Sequence, residues 1–135
     1  MNNCIEFIPV RDRELYNAYK TAFRRPDVKS HKQAIQAAIK SETSRFWIST
    51  FQAYREILKI KKGKPTGCVR TVRKRMIQKI YSAYQELEKK PAFRGCSTFF
   101  ITSFAVQREA PEFYISYSRA LAIISRINRE RRNEQ

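Results

Sequence analysis

Apolar residues recur at the spacing of one helix face in several stretches of the chain. One stretch carries Leu15, Tyr19, Ala22 and Phe23, and a later one carries Ile77, Ile80, Tyr84 and Leu87. Intervals of three and four residues match the 3.6-residue turn of an α-helix. Only three glycines and five prolines interrupt 135 residues, and such a composition favours helix over a turn-rich sheet. The sequence therefore predicts an all-α protein.

Two parts of the chain carry the same pattern of residues. Residues 46–49, FWIS, align with residues 113–116, FYIS, at an offset of 67. Residues 15–19, LYNAY, align with residues 80–84, IYSAY, at an offset of 65. The apolar stripe that follows the first pair is also shared, as Ala53, Ile57 and Ile60 against Ala120, Ile124 and Ile127. This is the pattern of a tandem duplication.

Each copy of the duplication predicts three helices. Ser30 and Ser97 stand where an N-cap would begin the second helix, and Ser49 and Ser116 where one would begin the third. Gln33 and Gln52, three residues after their serines, predict capping boxes. The local sequence of residues 99–104 is also compatible with a strand, but its alignment with a predicted helix favours helix. We expect two three-helix repeats, residues 1–62 and 76–135, joined by a basic connector, residues 63–75, and packed into one compact unit.

Charge is the strongest compositional signal. The chain holds 28 basic and 12 acidic residues, a net charge of +16, and residues 1–67 and 68–135 each contribute +8. A surplus of this size favours a polyanionic partner, because every phosphate that is neutralised releases counterions. Nucleic acid is the first candidate. An anionic membrane surface, or a basic balance that only aids solubility, is the alternative.

The basic residues of the two third helices face away from their apolar stripes. On a helical wheel Arg55, Lys59 and Lys62 lie opposite the stripe of the first copy. Arg119, Arg126 and Arg129 do the same in the second copy. Three short helices, the last of them capped and basic on its outer face, resemble the trihelical helix-turn-helix proteins of the homeodomain-like and sigma-factor-like group. The connection before each third helix, residues 40–49 and 107–116, is longer than that group's turn of three or four residues.

The resemblance implies that the third helices enter the major groove of duplex DNA. The connector adds a cationic run that favours an arm gripping phosphates, the alternative being a solvated loop that leads into the fourth helix. Together these arguments predict a nucleic-acid-binding set made of Gln52, Arg55, Lys59, Lys61, Lys62, Lys64, Arg70, Arg73, Lys74, Arg119, Arg126 and Arg129.

The two third helices differ in how far their apolar surface extends. Leu121, Ala122 and Ile123 stand where the first copy has Tyr54, Arg55 and Glu56. Such a wide apolar face needs cover, either from the other copy or from a second subunit in a homodimer around Leu121 and Ile123. The first copy's third helix is then the more open to DNA.

Catalytic and metal-binding patterns are not evident in the sequence. His31 has no neighbouring co-ligand at metal-binding spacing, and Cys4, Cys68 and Cys96 form no Cys-x-x-Cys pair. The longest apolar runs fall far short of about 20 residues, the length that crosses a bilayer. We therefore expect no catalytic residue, no metal, no cofactor, no membrane association and a cytoplasmic location.

These observations predict a non-enzymatic protein that binds duplex DNA, in transcription regulation or as an accessory protein of a mobile element. Two alternatives share the same electrostatics. One is a helical protein-interaction module with an acidic partner, and the other is an RNA-binding protein.

Overall fold

The computed structural model describes residues 4–64 and 70–134, with side chains from Phe7 onward. The described chain is all-helical, which confirms the predicted fold class. Residues 99–104 lie in a helix, as the repeat predicted. Six α-helices and one short 3₁₀ turn at Pro91–Phe93 follow one another in this part of the chain, the helices being α1 (Cys4–Phe23), α2 (His31–Ile39), α3 (Thr50–Lys61), α4 (Thr71–Glu88), α5 (Thr98–Val106) and α6 (Tyr117–Asn133).

All four predicted serine caps are present. Ser30 Oγ accepts from the Gln33 N–H at 3.2 Å and Ser97 Oγ from the Phe100 N–H at 3.1 Å. Ser49 and Ser116 cap α3 and α6 in the same way. Helices α2 and α5 both have nine residues, whereas α3 has 12 and α6 has 17. The aligned elements therefore agree in order and in serine capping, and only partly in length.

Only one of the two predicted capping boxes closes. At α3, the Ser49 N–H lies 3.4 Å from Gln52 Oε1, and both halves of the box are formed. At α2, Gln33 Oε1 accepts instead from the Lys29 N–H at 2.6 Å. The box at α2 stays open because the Gln33 side chain extends past Ser30, the N-cap residue, to the N–H of Lys29.

The helices sort into two compact units that do not follow the predicted boundaries at residues 62 and 76. One, the α1–α2–α6 unit, is formed by Ile5–Thr43 and Pro111–Gln135, and the other, the α3–α4–α5 unit, lies within Ser44–Ala110. Each unit therefore combines the first two helices of one repeat with the third helix of the other. The prediction of two tandem three-helix repeats packed into one compact unit differs from this arrangement.

The long connections explain how the exchange of third helices is accommodated. The unit boundaries, between residues 43 and 44 and between residues 110 and 111, fall inside the two connections that exceed the turn of a helix-turn-helix motif. The third helices carry the same core residues, since Ala53, Ile57, Ala120 and Ile124 are all 0–1% exposed. Either third helix can thus present an equivalent apolar stripe to either pair of first and second helices.

In the α3–α4–α5 unit, helix α3 packs on both α4 and α5. The core is apolar, and burial of such side chains is the main favourable term in folding. The N–H of Phe46, just before α3, donates to the Val106 carbonyl at the end of α5 at 2.9 Å. The buried side chains of this unit include Phe46, Ile48, Ala53, Ile57, Met76, Ile77, Ile80, Tyr84, Leu87, Ile101, Ala105 and Val106.

In the α1–α2–α6 unit, helix α6 packs on α2. The N–H of Phe113, before α6, donates to the Ile39 carbonyl at the end of α2 at 3.0 Å. This bond is the counterpart of the one between Phe46 and Val106. The unit buries one carboxylate, Asp12, which is 3% exposed, among side chains that include Leu15, Tyr19, Ala22, Ala34, Ile35, Ala38, Phe113, Ala120, Ile123 and Ile124.

Candidate nucleic-acid interface

The two units differ in charge although the two halves of the sequence do not. The α3–α4–α5 unit holds 15 basic and 4 acidic residues, a net charge of +11. The α1–α2–α6 unit holds 13 basic and 8 acidic residues, a net charge of +5. The sequence half was a poor guide to electrostatics because the compact units draw residues from both halves.

Most of the surplus lies where α3 ends and α4 begins. Residues 57–85 contain nine basic residues and no acidic one. We call residues 59–64 and 70–75 the basic junction. Lys62, Lys64, Arg70 and Lys74 are exposed there, whereas Lys59 and Arg73 are half-buried. The predicted residues Lys59, Lys61, Lys62, Lys64, Arg70, Arg73 and Lys74 all belong to this junction, and residues 65–69 of the predicted connector lie outside the described residues.

Lys61 is engaged within its unit. Its Nζ donates to Tyr84 Oη at 3.0 Å and lies 3.6 Å from a Glu88 carboxylate oxygen. It also sits 5.2 Å from the centroid of the Tyr84 ring. The hydrogen bond to Tyr84 raises the pKa of Lys61 above its usual value, so the side chain stays protonated at neutral pH. Lys61 ties α3 to α4.

Gln52, Arg55 and Lys59 have different local environments on α3. The Gln52 side chain completes the capping box and also lies 3.1 Å from Ser49 Oγ. Arg55 is exposed, with its guanidinium 5.9 Å from the Phe51 ring centroid. Lys59 pairs with Glu56 at 3.3 Å. Arg55 is therefore the predicted α3 residue with the most accessible charge, and Gln52 mainly serves the helix terminus.

The N-terminus of α4 belongs to the basic junction. Its N-cap residue, Arg70, makes no side-chain capping hydrogen bond, and the first turn holds no acidic residue. Helices α2, α3, α5 and α6 are each capped by a serine. The partial positive charge of a helix N-terminus adds to that of nearby Arg and Lys side chains and favours a bound anion.

The three predicted residues on α6 lie in the other unit. Arg119 and Arg129 are exposed, as the wheel predicted. Arg126 is half-exposed, and its Nη2 lies 3.0 Å from the buried Asp12 carboxylate of α1. The helical wheel missed this ion pair, because a projection of α6 alone does not show which helix packs against it.

The apolar face predicted around Leu121 and Ile123 is covered to a large extent. Ile123 is only 7% exposed, and Leu121 is half-buried. Burial of Ile123 within its own unit leaves little of that side chain for a second subunit. Ile123 is therefore covered within its own unit, which contains helices of the other copy, and the homodimer stays a prediction.

Sequence reasoning missed a set of exposed aromatic side chains on α5. Phe99, Phe100 and Phe104 are 44–46% exposed. The ring centroids of Phe100 and Phe104 are 5.1 Å apart, and those of Phe99 and Tyr54 are 5.3 Å apart. Alignment of the repeats could have revealed this surface, because the corresponding α2 residues are polar or small: Lys32, Gln33 and Ala37.

Trp47, in the repeated FWIS segment, belongs to the buried interior. Its side chain is 9% exposed, and the Arg45 guanidinium lies 5.8 Å from its ring centroid. Packing is the role that the burial supports. Base stacking needs an open aromatic face.

Other chemistry suggested by the sequence is sparse in the described region. His31 is exposed, and its Nδ1 lies 2.9 Å from Tyr19 Oη. Across residues 4–64 and 70–134 no three His, Cys, Asp or Glu side chains are grouped to hold a metal ion. Cys96 is a free, half-buried thiol, the Cys4 side chain and Cys68 being outside the description. No helix in the same ranges has the length and apolarity to span a membrane.

Comparison with known proteins finds no family model, curated protein or solved structure that matches the chain.

Proposed function

We propose that the protein is a non-enzymatic duplex-DNA-binding protein whose main contact surface is the basic junction of the α3–α4–α5 unit. The observation that carries the proposal is the concentration of charge: a net +11 in this unit, with 29 consecutive residues, 57–85, free of any acidic side chain. A charge density of this kind attracts phosphates and provides sequence-independent affinity.

The uncapped N-terminus of α4 supports the same surface. A backbone phosphate there would accept from the first N–H groups of the helix and from the adjacent Arg73 and Lys74. The exposed Lys62 and Lys64 are joined to this helix start through residues 65–70. Arg55, one turn and a half before the end of α3, extends the cationic surface along that helix. Transcription regulation, or an accessory role in a mobile element, fits a module of this kind.

The test is a titration of the protein against duplex DNA, single-stranded DNA and structured RNA over a range of salt. The matched variants are K62Q/K74Q, in the basic junction, and K29Q/K40Q, which removes two exposed charges from the α1–α2–α6 unit. We expect K62Q/K74Q to weaken duplex binding and to lower the slope of log affinity against log salt by about 2. K29Q/K40Q should leave the duplex affinity and the salt slope nearly unchanged.

Equal losses in the two variants would show that only the total charge matters, and would overturn the assignment to the basic junction. A preference for structured RNA over duplex DNA would show that RNA, and not duplex DNA, is the ligand of the basic junction. Absence of nucleic-acid binding at low salt would reject the proposal.

An acidic protein partner is the second candidate, and the exposed aromatic residues of α5 favour it. Phe99, Phe100 and Phe104 provide apolar contact area in a unit of high positive charge. Aromatic anchors within a polar surface are typical of protein interfaces. A partner that contributes acidic side chains around an apolar centre would complement this surface.

A further inference from the structure

Helices α1 and α6 line an open groove within the α1–α2–α6 unit. Its volume is about 420 Å³, which falls in the range of small-molecule sites. Four arginines line it, namely Arg11, Arg119, Arg126 and Arg129, with Ile8 and Ile123 among the apolar lining residues. This concave surface combines guanidinium groups that can bind an anion with apolar side chains that can contact hydrocarbon groups.

A buried carboxylate holds two of these arginines in place. Asp12 is 3% exposed. Its Oδ1 lies 2.9 Å from Arg11 Nη2, and its Oδ2 lies 3.0 Å from Arg126 Nη2. Each carboxylate oxygen therefore fixes one guanidinium, and the remaining N–H groups of both arginines are left for other acceptors.

The fold does not require this buried ion pair. The alignment of LYNAY with IYSAY places Asp12 opposite Ile77 and Arg11 opposite Met76. In the α3–α4–α5 unit those positions are 1% and 4% exposed and form part of an apolar core. A buried ion pair is often no more stable than apolar residues of similar volume. Residues that break a local rule of the fold in this way are expected at functional sites.

The groove retains positive charge that the described side chains do not neutralise. Arg119 and Arg129 are exposed and make no side-chain hydrogen bond or ion pair with any described residue. Among the described side chains, the carboxylates paired with the groove arginines are Asp12 and Glu130, which lies 3.5 Å from Arg126 Nε. Four guanidinium groups against two carboxylates leave a net charge of +2.

We propose that this groove binds an organic phosphate monoester. The dianionic phosphate balances the net charge. Arg119 and Arg129 stand about 15 Å apart along α6, so the planar fork of one of them suits bidentate hydrogen bonds to the phosphate oxygens and the other adds positive charge to the groove. Asp12 positions Arg11 and Arg126 as further donors. The apolar wall at Ile8 and the exposed Ala122 contact the organic part of the ligand. This site lies in a different unit from the basic junction and does not depend on DNA binding.

The first test uses phenyl phosphate and inorganic phosphate as probes in isothermal titration calorimetry. We expect saturable binding of one ligand per chain, tighter for phenyl phosphate because only it can use the apolar walls. R119A/R129A should weaken phenyl phosphate binding at least tenfold. The matched control, R55A/K62A, removes two exposed charges from the other unit and should bind as wild type. Unchanged affinity in R119A/R129A, or no saturation with either probe, would overturn the proposal.

A second variant separates binding from folding. R11M/D12I installs the residues that the other repeat carries at these positions. We expect its thermal unfolding midpoint to equal or exceed that of wild type, while phenyl phosphate affinity falls at least tenfold. A lower thermal unfolding midpoint together with unchanged affinity for phenyl phosphate would show that the ion pair is structural, and would contradict the proposal. If R11M/D12I does not fold, R119A/R129A still tests the proposal, because Arg119 and Arg129 are exposed and their substitution should not disturb folding.

A free metabolite and the end of a nucleic-acid strand both offer this phosphate chemistry. Competition against bound phenyl phosphate by matched oligonucleotides with a 5′-phosphate or a 5′-hydroxyl distinguishes them. Displacement by the phosphorylated oligonucleotide alone supports the site and identifies a strand end as an occupant. Displacement by neither supports a free ester. Equal displacement by both oligonucleotides would show that the groove does not recognise a monoester.

Discussion

The α1–α2–α6 and α3–α4–α5 units are built from aligned helices and differ mainly in their polar residues. In the first, Tyr19 Oη lies 2.9 Å from His31 at the start of α2; in the second, Tyr84 Oη lies 3.4 Å from Thr98 at the start of α5. The exchanged third helix contributes Lys61 to Tyr84 in one unit and Asn128 to Tyr16 in the other. Lys61 and Asn128 are themselves aligned. Because Tyr16 aligns with Tyr81 and not with Tyr84, the aligned third-helix residues make different polar contacts in the two units.

The divergence of the units has three parts. One unit has a net charge of +11 and the other +5. One has Met76 and Ile77 in its core where the other has Arg11 and the buried Asp12. One carries exposed phenylalanines on α5 where the other has polar or small residues on α2. Each difference bears on a separate proposal, namely DNA binding, an anion groove and a protein interface.

The largest effect is expected from placing a carboxylate in the core that lacks one. Ile77→Asp puts an acidic group at a position that is 1% exposed. Met76 stands there in place of Arg11, and Lys59, which aligns with Arg126, already pairs with Glu56. We expect the free energy of unfolding to fall by about 3–5 kcal/mol, the cost of an unpaired buried charge. Urea denaturation at neutral pH measures this. A loss below 1 kcal/mol would show that the two cores tolerate charge equally.

Matched truncations in the third helices test the exchange directly. Ile57 and Ile124 are aligned and fully buried, and Ile→Ala at such sites costs about 2–5 kcal/mol. Ile57→Ala should reduce amide hydrogen-exchange protection in α4 and α5, and Ile124→Ala in α1 and α2. The opposite pattern, with each variant exposing the helices of its own repeat, would contradict the exchanged arrangement.

The two third-helix caps should differ in strength by a smaller amount. Ser49 is 4% exposed and belongs to a closed capping box, whereas Ser116 is exposed. Ser→Ala at an N-cap costs about 0.5–2 kcal/mol. We expect Ser49→Ala near the upper end of that range and Ser116→Ala near the lower end, as measured by thermal and urea unfolding. Equal losses would mean that the box adds nothing beyond the single hydrogen bond.

The smallest effect on stability is expected on the aromatic surface. Phe100→Gln installs the residue that α2 carries at this position and removes a half-exposed ring that contacts Phe104. The loss of stability should be about 0.5–1.5 kcal/mol, the size of one aromatic pair. Affinity for duplex DNA should not change. A marked loss of DNA binding at constant stability would bring the aromatic surface into the nucleic-acid interface.

The repeat made much of the local structure predictable. The serines at positions 30, 49, 97 and 116 cap their helices as expected, because an N-cap depends on a few neighbouring residues. The same alignment correctly assigned residues 99–104 to a helix. The helical wheel missed the ion pair of Arg126, because the partner Asp12 is 114 residues away in sequence and a wheel describes only one helix at a time.

The sequence by itself determined the all-α class, the duplication, the helix starts and the excess of positive charge. Only the tertiary structure decided which third helix packs with which pair of first and second helices. The stripes of Ala53 and Ile57 and of Ala120 and Ile124 are interchangeable in chemistry, so neither pairing is favoured by pattern alone. That choice gathers the positive charge into one unit and brings Asp12 against Arg126 in the other.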